Sequence, residues 1–285
     1  MIIDAHVHLF PDREVALEVL EEFKQHYKVG YYTVGTAETH RAEMQRCGID
    51  YAIALSYAPF NRLKRNNLWV VSSARSTERK TAANPHIIPY VSVCPDMKGR
   101  SPVEELEHKF KWGMKGVKLH PIALHFAPDD ARMWPVYQWL VQHNFPLTAH
   151  CGINVRVDED TYLAHPNRWL DVLKAFPTLR LTLAHMGGGF WEDTLRICRL
   201  YPQVMLDTAI AICGVHHASI KENWLSDNEA LEMIRTVGAG RVMFGSDYPW
   251  IDPARDIQRI RSLSLTETEK KFILGENAAR LHHLF

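Results

Sequence analysis

The sequence predicts a (β/α)8 barrel built as a single domain over residues 1–285. Three observations carry this reading. Eight short runs rich in β-branched and apolar residues recur along the chain, at 2–9, 51–57, 87–93, 116–120, 146–151, 180–185, 204–209 and 241–247. Between them lie longer stretches with helical periodicity, among them 103–112, 130–143, 168–176, 191–201 and 228–237, several entered through Asp, Ser, Asn or Pro. The alternation fills 285 residues, and one barrel commonly takes about 250, whereas an open doubly wound sheet uses roughly five or six strands and a glycine-rich first turn.

Taken in order, the first run contains "DAHVH", which sets His6 and His8 two residues apart. About 40 residues separate the first two runs, and the aromatic stretch "YKVGYYTVG" and a helix at 38–48 are expected to form an insertion that contributes to a lid. Lys118 and His120 close the fourth run, His150 the fifth, His185 the sixth and Asp247 the eighth. In a parallel barrel the C-terminal strand ends converge on one face, and that face holds the active site.

A spacing of two in a strand puts His6 and His8 on the same side, so both imidazoles can reach one ion. A lone histidine at a strand end is usually a hydrogen-bonded core residue, but several on one rim are costly to desolvate without a shared purpose. His6, His8, His150 and Asp247 are therefore read as the ligands of a divalent cation. Neutral imidazoles and a carboxylate suit zinc, with manganese or iron also compatible, and the lack of thiolates argues against a structural zinc site.

The 33 basic and 33 acidic side chains cancel and 46% of residues are hydrophobic, so no bulk field attracts nucleic acid or an anionic membrane. The expected partner is a small molecule. Five scattered cysteines without a close CxxC pair fit a reducing cytoplasm and no disulfide framework. No basic n-region opens the chain, and the apolar stretch at 201–215 contains Pro202 and Asp207, so neither a signal peptide nor a membrane span is expected. Pairing of barrels through their helices into a homo-oligomer is compatible with the fold.

Side chains following strand ends are candidate substrate contacts: Tyr57, Phe60 and Arg62 after the second run, Trp191 after the sixth and Trp250 after the eighth. Together they suggest a flat, partly apolar acid, with Arg62 able to clamp a carboxylate. For Arg62 the competing reading is an ordinary surface arginine. The glycines at 187–189 either expose amides to an anion or simply make a tight turn.

The ordered set "DAHVH" at 4–8, "GVKLHP" at 116–121, "LTAHCG" at 147–152, "LAHMGG" at 183–188, "MFGSDYPW" at 243–250 and "GENAARL" at 275–281 resembles the amidohydrolase superfamily. The resemblance is to its amidohydrolase-related branch, which includes enzymes of the aminocarboxymuconate-semialdehyde decarboxylase type. It implies a distorted barrel in which residues matching His6, His8, His150 and Asp247 ligate one divalent ion. His185 is then expected to ligate a second ion or, with one ion bound, to polarise substrate. Lys118 is the position that carries a metal-bridging carboxylated lysine in some two-metal members, the alternative being an unmodified lysine held by a carboxylate or binding substrate, and His120 is a further candidate for substrate contact; one ion is favoured over two.

The resemblance implies two chemistries. In the first, a metal-dependent hydrolase cleaves an amide, lactone or ester with an activated water whose proton passes to Asp247, and His185 helps stabilise the oxyanion. The second is a nonoxidative decarboxylase, a carboxy-lyase of an aromatic or unsaturated acid. Such decarboxylases tend to be longer and to carry a carboxylate-binding arginine, so the compact chain favours hydrolysis. A non-catalytic barrel is the third reading, weakened by retention of every costly buried polar group of the site.

Overall fold

In the computed structural model, which describes residues 1–27, 29–57, 62–76, 86–153, 159–213 and 225–284, all eight predicted runs contain strands. They are β1 (Ile3–Val7), β2 (Tyr51–Leu55), β3 (His86–Ser92), β4 (Gly116–Leu119), β5 (Leu147–Ala149), β6 (Leu181–Leu183), β7 (Met205–Asp207) and β8 (Val242–Met243). Each pairs in parallel with the next, in the order β1 to β8. The ring closes through backbone bonds between β1 and the segment just after β8: the amide of Ala5 donates to Phe244 O at 2.8 Å, that of Asp247 to His6 O at 2.9 Å and that of His8 to Tyr248 O at 2.7 Å. This is the (β/α)8 barrel that the alternation predicts.

The helices are α1 (Arg13–Tyr27), α2 (Ala37–Cys47), α3 (Leu63–Ser76), α4 (Pro102–Phe110), α5 (Trp134–Gln142), α6 (Leu170–Ala175), α7 (Trp191–Leu200), α8 (Asp227–Val237), α9 (Pro253–Ser262), α10 (Glu267–Lys271) and α11 (Asn277–Leu281). Their starts follow local chemistry. Thr36, Ser101, Ser226 and Thr266 each accept from the backbone three residues on, in reciprocal capping boxes before α2, α4, α8 and α10. None of the helices among the described residues is long and apolar enough to cross a membrane. All five cysteines are free thiols.

The main core fills the space between strands and outer helices, with Trp169, Tyr137 and Phe244 among its largest members. Burying each such side chain contributes roughly 2–3 kcal/mol. The registers align Ser92, Lys118, Thr148 and Thr182 in one buried row across β3 to β6, so Lys118 sits in a polar layer of the barrel wall. A separate cluster caps one end: Phe10, Val19, Leu20 and Val34 of the insertion pack with Trp250 and Ile251 from beyond β8. The insertion after β1 thus forms two helices, one more than the sequence pattern suggests, and α1 contributes Phe23 to this cap.

Candidate metal centre and pocket

The cap and the strand ends line a pocket, open on one side to solvent, with about 440 Å³ of empty space. Its floor is polar, formed by His6, His8, Lys118, His120, His150, His185 and Asp247, and its walls are Phe23, Tyr57, Ile210 and Trp250. All seven polar residues singled out on the strand ends therefore meet in one place. All seven are at least nine-tenths buried.

Hydrogen bonds fix the proton on several of these rings, because a neutral imidazole that donates from one nitrogen presents a lone pair on the other. Leu55 O, an acceptor only, lies 2.9 Å from His8 Nδ1. Asp207 Oδ2 lies 2.9 Å from His6 Nδ1, and Ala209 O lies 3.0 Å from His185 Nδ1. His6, His8 and His185 consequently turn Nε2 lone pairs to the interior. His150 donates from Nδ1 to His185 Nε2 at 3.0 Å, which leaves a buried His150 Nε2 without a partner.

Two of these nitrogens, His6 Nε2 and His8 Nε2, stand 3.2 Å apart. Asp247 Oδ1 is 3.2 Å from the first and 3.4 Å from the second. Ligand atoms about 2.0–2.1 Å from a tetrahedral ion are separated by roughly 3.3–3.4 Å, so the triad has the spacing that one such ion requires. Converging lone pairs and a carboxylate repel one another unless a cation lies among them. His150 stands one step outside this triad, with its orphaned nitrogen as its contribution. Lys118 Nζ approaches His6 Nε2 at 3.3 Å.

The electrostatics follow from burial. Desolvation, followed by the Lys118 charge, pushes His6 well below the usual histidine range. His120 and His150 are likewise held neutral by burial, and His185 is lowered by the same cause. Burial raises the Asp247 carboxyl, but the adjoining His8 and the neighbouring imidazoles outweigh it and hold the group below the carboxylate range. Lys118 is lowered to about 8 by burial against the opposing pull of Asp207 and Asp247.

The backbone bends to make this arrangement. Asp247, His185, Met186 and Ile210 all have positive φ, at 58°, 58°, 49° and 62°. Such non-glycine conformations cost of order 1–3 kcal/mol each and gather where a side chain must be aimed. Asp207 offsets part of that cost: its Oδ1 accepts from the amides of His185 at 2.9 Å and Ala209 at 3.2 Å. Asp4 does the same at the β1–β8 seam, accepting from Ser246 Oγ at 2.5 Å and from the amides of Ser246 and His6 at 3.0 and 3.1 Å. Burial raises the Asp4 carboxyl to about 7.

Neither Asp207 nor Asp4 is among the residues that the sequence singles out, although Asp207 ends an apolar strand just as Asp247 and His185 follow theirs. His6, His185 and Asp207 also form a second group of potential metal ligands, but Asp207 is already committed to hydrogen bonds. Tyr57 and Trp250 line the pocket as expected, with the Trp250 ring edge-on to His8 at 5.4 Å.

Arg62 and Trp191 do not line this pocket. Arg62, just before α3, forms an ion pair with Glu18 and lines a neighbouring groove of about 370 Å³. Trp191 opens α7 and packs half-buried against the main core. Phe60 lies outside the described residues. The glycines at 187–189 make a tight turn: a Cβ on Gly187 would sit 1.8 Å from Thr194 Oγ1.

The amidohydrolase family model matches residues 3–284, and the chain belongs to that family. No curated protein matches it significantly. Among solved structures, it is similar to an uncharacterised barrel protein of Bordetella bronchiseptica, at 17% identity and a TM-score of 0.77 over 98% of this chain and 97% of the other. It is also similar to 5-carboxyvanillate decarboxylase of Sphingomonas paucimobilis, at 16% identity and TM-score 0.69 over 99% and 98% of the two chains. A third is the dihydroxybenzoic acid decarboxylase of a Polaromonas species with bound manganese and 2-nitroresorcinol, at 15% identity and TM-score 0.71 over 99% and 97%.

Proposed function

We propose that the protein is a metal-dependent carboxy-lyase that removes carbon dioxide, without an oxidant, from a small aromatic or unsaturated acid. The observation that carries this is the shape and charge of the pocket. Phe23, Tyr57 and Trp250 wall a space suited to a planar ring, while the floor sets the buried Lys118 ammonium beside the metal-ligand triad. With a divalent ion, Lys118, Asp207 and Asp247, the charges sum to about plus one, which a monoanionic acid neutralises. The decarboxylase relatives support the same reading, and the chain spans 98% and 97% of two of them, so its compactness gives no weight to hydrolysis.

His6, His8 and Asp247 would hold the ion, with the unpartnered Nε2 of His150 as the further donor. One ion is the preferred stoichiometry, zinc or manganese the preferred identity. When bound, it supplies Lewis-acid polarisation of a substrate oxygen. The aromatic walls orient the ring and exclude water. Breaking the carbon–carbon bond leaves an electron pair on carbon, and a proton must replace the carboxyl group there. Asp247, the carboxylate lining the pocket, takes this proton from water and delivers it to that carbon, while His185 is pinned beside it by Ala209 O and His150.

Hydrolysis is the second reading, supported by the match of the amidohydrolase family model over residues 3–284. The two separate in one assay. Metal-loaded protein incubated with hydroxylated benzoates should release carbon dioxide and leave amides and lactones untouched. Cleavage of an amide or lactone with no carbon dioxide from any acid would reverse the assignment.

A further inference from the structure

His120 differs from the other pocket histidines in where its proton lies. The backbone amide of Ala123 donates to His120 Nδ1 at 3.2 Å. In a neutral ring the hydrogen must therefore sit on Nε2. His6, His8 and His185 have the opposite arrangement, each using Nδ1–H on a fixed oxygen. Among the described residues, no protein acceptor meets His120 Nε2–H, and the ring lines the cavity.

The ring is also held rigidly. It stacks on His150 with centroids 4.1 Å apart and planes 9° apart, and it lies 5.1 Å from the Tyr57 ring. His120 follows β4 two residues after Lys118, which sets both side chains on the same face. In the strand order β4 is four places from β8, so these two donors enter from across the barrel from Asp247.

We propose that His120 is a fixed Nε2–H donor that, beside the Lys118 ammonium, receives an oxygen of an anionic substrate and makes the site select acids over the corresponding neutral amides. This rests on the acid-substrate reading above. It gives the pocket a carboxylate or phenolate receptor without an arginine, which accounts for how an acid is held when Arg62 is committed elsewhere. Because the donor is neutral and preset by the backbone, it contributes direction where Lys118 contributes charge.

The test uses the full chain loaded with zinc and three proteins: wild type, His120→Gln and His120→Phe. Glutamine places an amide N–H at similar reach, whereas phenylalanine keeps the stack on His150 and removes the donor. Calorimetric binding of 2,6-dihydroxybenzoate should weaken about tenfold or more in His120→Phe and stay within about threefold in His120→Gln, with zinc content equal in all three. Wild type should bind 2,6-dihydroxybenzamide at least about tenfold more weakly than the acid. Independently, 15N NMR of histidine-labelled protein should show the His120 proton on Nε2. Undiminished binding by His120→Phe, or a proton on Nδ1, would overturn the proposal alone. Failure of zinc-loaded wild type to prefer the acid over the amide would overturn the acid reading and the proposal with it.

Discussion

His6 Nδ1 lies 2.9 Å from Asp207 Oδ2, and both groups are fully buried. The pair fixes the direction in which His6 presents its free nitrogen, since the proton is held behind the site and the Nε2 lone pair faces Asp247 and His8. Asp207→Asn puts an amide where a pure acceptor stood and removes the charge that favours that tautomer. Outer-sphere partners of this kind are worth roughly 10–100-fold in metal affinity. Zinc titration of the variant should show a loss in that range with the circular-dichroism spectrum unchanged; wild-type affinity would refute the role given to Asp207.

Asp247 has two tasks, as ligand and as proton carrier, and the substitution Asp247→Asn strikes both. The asparagine keeps the volume and a carbonyl oxygen but cannot take up a proton at the pH of the assay. Turnover of any accepted acid should fall by about 100-fold or more. A variant that binds the ion and retains wild-type kcat would sink the role assigned to this carboxylate.

How far the sequence alone reveals this site depends on what sets each residue's position. The strand ends of a parallel barrel converge by geometry, so His6, His8, Lys118, His120, His150, His185 and Asp247 can be placed together from strand positions alone. Residues one step past a strand have no such constraint. Arg62 stands before a helix and faces Glu18 and a neighbouring groove, and Trp191 opens another helix and packs on the core, so neither lines the pocket. Phe23 shows the converse: it comes from α1, well beyond the end of β1 at Val7, and reaches the pocket only because the insertion folds back over the barrel mouth. Asp207 had a readable signal, a carboxylate closing an apolar strand, but its value lies in bonds to His6 and the His185 amide that only the three-dimensional structure discloses.

His40 makes acid sensitivity testable away from the metal-ligand triad. Its ring is buried, lies 4.8 Å from the Tyr248 ring, and has no hydrogen-bond partner on either nitrogen. Burial lowers its pKa from 6.5 to about 3. As pH falls below 6.5 the unfolded chain takes up this proton while the folded chain does not, so stability is lost from 6.5 down to about 3, at up to about 1.4 kcal/mol per pH unit. His40→Phe removes the difference and should shift the acid unfolding midpoint to lower pH. An unchanged midpoint would show that His40 does not contribute to acid unfolding.

The loop after His150 is pressed directly against the turn that carries His185. Gly152 has φ 105°, and a Cβ there would lie 2.4 Å from both Cα and O of Gly188. The contact is backbone on backbone, with the Ile153 amide donating to Gly188 O at 2.9 Å, so no flexible side chain can move aside. Gly152→Ala combines a disfavoured backbone conformation with overpacking, and together these cost about 3 kcal/mol or more. The unfolding temperature should fall by on the order of 10 °C. The damage should also be local: separating the two loops moves the His150 and His185 rings apart, so metal affinity should drop even at temperatures where the variant is fully folded. Lower stability with unaltered metal affinity would mean that the two histidines are positioned by their own strands and not by the contact between the loops that follow them.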